Sequence, residues 1–263
     1  MDRTTLVLLS DLNYAEANRE LTRRAGGTVL DEEGLVCWAG AHPRPVLVNG
    51  CMRTTDALAP ADVLARARRF FAPRRRGFSV VLRGDRDADL APACDEAGMA
   101  RMDDTRGMVL ARRLPDAAPP GVTLRRVATP ADVAAFARVN GEAYATYGMP
   151  PDCAPALFAR PETVLAPHVV AVLAYVGDAP ASAAMAILTH GIAGIYWVGT
   201  TPAARSQGLA ELCTRTVGNA AFDAGARVVV LQASTMGEPI YTKMGYEAVT
   251  RYPCYVAFST PDA

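Results

Sequence analysis

The chain has 263 residues, of which 51% are hydrophobic, and its 27 basic and 27 acidic side chains give a formal net charge of zero. This composition is typical of a globular protein and excludes a disordered chain or a coiled coil. The length favours two domains. A nucleic-acid partner is not expected, because binding to phosphates needs an excess of cationic groups.

The cysteines and the apolar segments indicate the cellular compartment. The six cysteines form no CxxC pair and the three histidines are dispersed, so neither a metal site nor a disulfide framework is expected. Free thiols, and apolar runs too short for a signal peptide or a membrane span, predict a cytoplasmic protein without a membrane partner. Lys243 is the only lysine among the 27 basic residues, a bias typical of a GC-rich bacterial genome.

The first half of the chain alternates predicted helices and strands. Hydrophobic periodicity predicts helices over residues 13–25, 60–71 and 91–97, and strands over 35–39, 45–48, 78–82 and 107–111. Three prolines and a glycine within residues 114–121 interrupt the pattern and predict a linker.

The second half repeats this alternation with clearer signals. Thr129 and Pro130 predict the start of a helix that runs to about Tyr144, because threonine caps a helix and proline suits its first turn. Further helices are predicted over 209–224 and 238–244, and strands over 122–127, 169–175, 181–188, 195–200, 228–232 and 246–258. The order predicts an α/β (α+β) fold, with each half a mixed, mostly antiparallel twisted sheet flanked by helices.

The most informative segment joins the strand at 195–200 to the helix that follows. Backbone amides at a helix start are unpaired and bind anions, and Gly208 lets a phosphate approach without a Cβ in the way. Arg205 adds a positive charge. The segment is neither a P-loop nor a dinucleotide fingerprint, because GxxxxGK[ST] and GxGxxG are absent from the chain.

This segment resembles the pyrophosphate loop of the GCN5-related N-acetyltransferase (GNAT) superfamily, Q/R-x-x-G-x-G/A, which here runs from Arg205 to Ala210. A second block, LQASTMGEPIYTKMGYEAV, places Ser234, Tyr241 and Gly245 at the family's spacing, with serine where the family commonly has asparagine. The resemblance covers about residues 121–263. Residues 1–113 are then interpreted as a degenerate GNAT-like domain, 114–121 as a linker and 122–263 as the active domain. The alternative is that the two halves resemble each other by chance.

The resemblance implies a role for each matched position. Tyr241 would be the general acid that protonates the departing thiolate, and a packed aromatic side chain is the alternative reading. Acetyl-CoA is the implied cosubstrate, and no metal is required. Ten residues would contact acetyl-CoA through the pantetheine strand, the pyrophosphate loop and the second block: Val198, Gly199, Thr200, Arg205, Ser206, Gln207, Gly208, Leu209, Ala210 and Ser234.

The acceptor side is less defined by the sequence. By position in the family, the acceptor cleft would be lined by Glu142, Tyr144, Tyr147, Tyr252 and Tyr255, with plain packing or surface exposure as the alternative for each. The general base stays open among Glu142, His190, Tyr196 and a water relay.

The resemblance implies transfer of an acetyl group to a primary amine by direct attack. Two alternatives stay open: a different acyl-CoA donor, as in a tandem enzyme resembling mycothiol synthase, and a catalytically idle CoA-sensing or protein-binding module. The first half has an acidic Asp56 and no arginine-and-glycine loop before its helix at 60–71, so it is not expected to bind the cosubstrate. The sequence also leaves a homodimer open.

Overall fold

The computed structural model describes residues 1–117 and 119–259. The helices of this part of the chain are α1 (Arg3–Arg24), α2 (Pro60–Phe71), α3 (Leu90–Glu96), α4 (Pro130–Ala145), α5 (Cys153–Leu157), α6 (Leu209–Asp223) and α7 (Glu238–Met244). The strands are β1 (Thr28–Glu32), β2 (Leu35–Ala39), β3 (Asn49–Arg53), β4 (Phe78–Val81), β5 (Ala100–Leu110), β6 (Val122–Arg126), β7 (Val169–Val176), β8 (Ala179–Thr189), β9 (Ile192–Thr200), β10 (Val229–Ala233) and β11 (Glu247–Ala257). None of these helices is long and apolar enough to cross a membrane.

The strands form one sheet in the order β1-β2-β3-β4-β11-β5-β10-β9-β8-β7-β6. Neighbours are antiparallel except for the parallel pairs β3–β4 and β9–β10, which confirms an α/β fold with a large, mostly antiparallel sheet flanked by helices. Strand β11 lies between β4 and β5, and β5 lies between β11 and β10. Each half of the chain therefore inserts its last strand into the sheet of the other half.

Helix α1 packs on one face of this sheet and α2 on the other, because side chains alternate along each strand. In β2, Val36 and Trp38 belong to the cluster that α1 covers, whereas Leu35 and Cys37 pack with α2. In the second half α4 lies on the α1 face, and α6 lies on the opposite face. The sheet thus separates two helical layers.

The predicted second-half elements are confirmed to within a few residues, but three first-half predictions are wrong. Residues 45–48 were predicted to form a strand but form a loop, and the strand in this region is β3. Strand β1 was not predicted. Helix α1 begins at Arg3 rather than near residue 13, because Asp2 caps it by accepting from the Thr5 amide at 2.8 Å. Strand β5 begins at Ala100 rather than 107, because β11 pairs with its polar first half.

Candidate functional site

Strands β9 and β10 separate halfway along β9. Their pairing ends at Ile195 opposite Leu231, and a bulge follows, in which Trp197 has φ +53°. A left-handed tryptophan costs about 1–3 kcal/mol, and here packing supports it: its ring lies 5.1 Å from Phe158 and 5.3 Å from Tyr144. The bulge leaves the β10-facing edge of residues 196–200 without a strand partner in the described chain. Val198, Gly199 and Thr200 lie on this edge.

The loop after β9 leads directly to the start of α6. Ser206 and Gly208 have positive φ angles of 62° and 72°, and α6 begins at Leu209 without a side-chain cap. A Cβ added to Gly208 would meet nothing within 4 Å, so an anion can approach the amides there. Gln207 is exposed in the same loop, and Ala210 lies in the first turn of the helix.

Arg205 ties this loop to the end of α4. Its Nη2 donates to the Thr146 hydroxyl at 2.6 Å and to the Ala143 carbonyl at 3.3 Å, and its guanidinium lies 5.4 Å from the centre of the Tyr147 ring. These contacts are a hydroxyl, a carbonyl and an aromatic ring, so they leave the positive charge uncompensated by an acid. The charge therefore stays available near the helix start.

Tyr241 lies half-buried on α7, next to the point where β9 and β10 separate. Burial raises the pKa of Tyr241 to about 12, although the nearby Thr214 hydroxyl opposes the rise, so the phenol is protonated at neutral pH. Its ring meets that of Tyr246 edge-on at 5.8 Å. The Thr214 hydroxyl is buried beside the phenol and makes no hydrogen bond of ordinary geometry within the described residues.

Two of the predicted acceptor residues lie close to Tyr241. The rings of Tyr144 and Tyr147 are 6.3 Å apart, and burial, with a smaller effect of Tyr241, raises the pKa of Tyr144. Glu142 is exposed on α4, away from this packing. The Ser234 hydroxyl accepts from the Gly237 amide at 3.2 Å, so it stabilises the turn that leads into α7.

The structure places Tyr252 and Tyr255 in the interior of the first half. Tyr255 is 1% exposed and packs with α2 and α3, so the structure does not bring it to the cleft. Tyr252 is equally buried beneath α1, where its hydroxyl donates to Asp11 Oδ1 at 2.9 Å. Burial raises the pKa of Asp11 to about 6.

The general-base candidates also separate in the structure. His190 is exposed in the turn between β8 and β9. Tyr196 is half-buried, and its hydroxyl donates to Asn13 Oδ1 on α1 at 2.6 Å. Sequence reasoning missed Asn13 and Tyr14 as neighbours of the site, because nothing in the local pattern shows that α1 crosses strands almost two hundred residues away.

Charged side chains cluster at the ends of two neighbouring strands in the first half. Arg53 at the end of β3 and Arg83 after β4 are 1% and 2% exposed, and both bind Asp87, at 2.8 Å and 2.7 Å. Arg53 also pairs with Asp89 at 2.5 Å and Arg83 with Asp56 at 2.8 Å. The network occupies the carboxyl ends of β3 and β4, a parallel pair like β9 and β10.

We expect Asp87→Asn to lower the free energy of unfolding by about 3–5 kcal/mol, because two buried guanidinium groups lose their shared partner. Urea denaturation measures this change. The matched control is Asp85→Asn, since Asp85 pairs with Arg251 at 3.3 Å but is 93% exposed, and the expected loss is under about 1 kcal/mol. Equal losses in the two variants would contradict a structural role for the network.

Comparisons with known proteins agree with this geometry. A family model described as "Acetyltransferase (GNAT) domain" matches residues 110–238. A GCN5-related N-acetyltransferase from Kribbella flavida superposes with a TM-score of 0.68 at 22% identity, over 95% of this chain and 96% of that one. A second, from Sphaerobacter thermophilus, gives a TM-score of 0.62 at 17% identity, over 88% and 78%. A tandem GNAT protein from the clavulanic acid biosynthesis pathway gives 0.56 at 14% identity, over 87% and 79%.

No curated protein sequence matches the chain significantly. The similarities to solved structures establish the fold, which is that of the N-acetyltransferases. The family match indicates a GNAT acetyltransferase domain within residues 110–238.

Proposed function

We propose that the chain transfers an acetyl group from acetyl-CoA to a primary amine. The observation that carries the proposal is the separation of β9 from β10, which leads into the uncapped start of α6 at Gly208. A CoA thioester needs a slot through the sheet for its pantetheine arm and an anion site for its pyrophosphate. The separated strands would provide the slot. The start of α6, which follows β9 in the chain, would provide the anion site.

Backbone groups of Val198, Gly199 and Thr200 would bind the pantetheine arm as an added strand, because their β10-facing edge has no strand partner. The amides of the loop from Arg205 to Ala210 would hold the pyrophosphate, and the buried Thr214 hydroxyl would add a polar contact beside Tyr241. Ser234 is expected to help through the turn that it stabilises. No group of three or more metal-ligating side chains occurs in the described part of the chain.

Acetyl-CoA, when bound, supplies an activated acyl group with a thiolate leaving group. The amine nitrogen forms a bond to the carbonyl carbon, the carbon–sulfur bond breaks, and Tyr241 gives its hydroxyl proton to the sulfur. The phenolate takes back a proton from the nitrogen, which leaves a neutral amide and a free thiol. The site holds both reactants together, so no covalent enzyme intermediate is needed.

A thiol-release assay with acetyl-CoA and a panel of primary amines tests this function. We expect free thiol only when both acetyl-CoA and a suitable amine are present. Faster release from a longer acyl-CoA would indicate a different donor, as in a mycothiol-synthase-like tandem enzyme. Tight acetyl-CoA binding without release for any amine would instead indicate a CoA-sensing or protein-binding module.

We expect one acetyl-CoA to bind per chain, because the arginine–aspartate network occupies the carboxyl ends of β3 and β4, where a first-half site would lie. Three of its members are acidic, which disfavours a pyrophosphate at this position. Isothermal titration calorimetry measures the stoichiometry. Saturation at two equivalents would show that the first half has kept a working cosubstrate site.

A further inference from the structure

Gln232 is an unsatisfied amide beside the opening of the sheet. It lies on β10 one residue beyond Leu231, the last residue that pairs with β9. Val228 and Val230 of the same segment pack against α1, so the alternation of side chains directs Gln232 to this face. Its Nε2 is buried and has no hydrogen-bond partner within the described residues. A ligand oxygen that accepts from Nε2 would remove the cost of this unpaired donor.

Tyrosine rings lie over both strands that neighbour β10. On β9, a Cβ added to Gly194 would come within 2.6 Å of the Tyr196 ring. On β5, Gly107 is the register partner of Gln232, and a Cβ there would come within 2.9 Å of the Tyr252 ring. The two glycines therefore let both rings lie against the sheet, over the two strands next to β10.

Helix α1 covers this row of side chains with Tyr14. Its ring is stacked 6.5 Å from Tyr196 and meets Tyr252 edge-on at 5.2 Å. Asn13 fixes the helix in this position, because it accepts from the Tyr196 hydroxyl at 2.6 Å and donates to Thr189 Oγ1 at 2.8 Å. Tyr14, Tyr196 and Gln232 are only half-buried, so each keeps some surface for a ligand.

We propose that Tyr14, Tyr196 and Gln232 form the acceptor subsite, and that the acceptor is a primary amine with a hydroxyl or carbonyl oxygen close to its nitrogen. The inference rests on the proposed function, which brings the acyl group to the gap between β9 and β10. Gln232 donates to the oxygen of the acceptor. This oxygen is close to the attacking nitrogen, because Gln232 adjoins the gap that would hold the acyl group. The tyrosine faces contact the ammonium group and the alkyl chain when the acceptor binds. The ammonium group loses one proton to water before its nitrogen attacks the thioester. A helix of the first half thus selects the substrate of the second.

Two amines with the same number of heavy atoms test the role of Gln232. We expect 2-aminoethanol to exceed propylamine in kcat/KM by about tenfold, the value of one neutral hydrogen bond. Gln232→Leu removes the donor, so the ratio should fall to about one. If this variant does not fold, Gln232→Met, which keeps the side-chain length, repeats the test. A preference that survives removal of the donor would overturn the assignment.

Tyr14→Ala tests the contribution of α1. We expect the KM of both amines to rise by about tenfold, while the Kd of acetyl-CoA and kcat stay unchanged. Leu12→Ala, on the exposed side of the same helix, is the control and should change none of these quantities. An unchanged amine KM in Tyr14→Ala would overturn the role of the helix.

The wild type separates this inference from the function on which it rests. A wild type that releases thiol with amines but shows no preference between 2-aminoethanol and propylamine overturns the inference alone. A wild type that releases no thiol with any amine overturns the proposed function, and the inference with it.

Discussion

Gly208→Glu is expected to abolish the binding of acetyl-CoA while the protein stays folded. The new side chain places bulk and a negative charge in the open space before α6, where the pyrophosphate would meet the amides. Calorimetric titration of the folded variant measures the loss, which we expect to exceed about 100-fold in Kd, or about 2.7 kcal/mol.

Gly98→Glu is the matched control for this variant. Gly98 has φ +70° against +72° for Gly208, and a Cβ added at either position meets nothing within 4 Å. Both variants therefore carry the same backbone strain, but only one lies at the proposed pyrophosphate site. Unchanged affinity for acetyl-CoA in a folded Gly208→Glu protein would show that the loop is not part of the acetyl-CoA site.

Tyr241→Phe is expected to lower kcat by about 10²- to 10⁴-fold, the usual contribution of a general acid. The substitution keeps the ring against Tyr246 and deletes only the hydroxyl, so the affinity for acetyl-CoA should change little. Burial raises the pKa of Tyr241 to about 12, so the phenol of the free enzyme stays protonated below pH 10. Ionisation of Tyr241 by the solvent should therefore not lower the rate in this pH range. Single-turnover rates from pH 6 to 9 measure the step without interference from product release.

Tyr246→Phe is the control for the Tyr241 variant. The Tyr246 hydroxyl is also buried and has no partner among the described residues, so its removal breaks no hydrogen bond and should leave the rate unchanged. A Tyr241→Phe protein with the wild-type rate would leave Tyr241 as a packing residue. A similar loss in both variants would indicate that disturbed packing, not proton transfer, lowers the rate.

The second half of the chain was predictable because its local signals agree with its tertiary structure. Thr129 caps α4 as predicted, in a capping box with Asp132, and helix α7 has the predicted bounds. The start of α6 at Leu209 and the left-handed Gly208 follow from the same local chemistry. Where a cap, a glycine and an apolar period point to one element, a short segment of sequence is sufficient.

The first half was less predictable because its strands depend on distant partners. Residues 100–106 are largely polar and carry no strand pattern, yet β11 extends β5 over them through pairs such as Arg101 with Tyr255. The contribution of Tyr14 to the site has the same origin, since α1 meets Tyr196 only in the folded sheet. Local propensity cannot report such contacts.

The exchange of β5 and β11 has a consequence for synthesis on the ribosome. Strand β4 pairs with β11 through Phe78 opposite Ala257 and Val81 opposite Cys254. At 5–20 residues per second, β11 is made roughly 10 to 35 s after β4. During that interval β4 has one unpaired edge, which is a template for association with other chains. The sheet of the first half is therefore complete at this edge only after β11 has been translated.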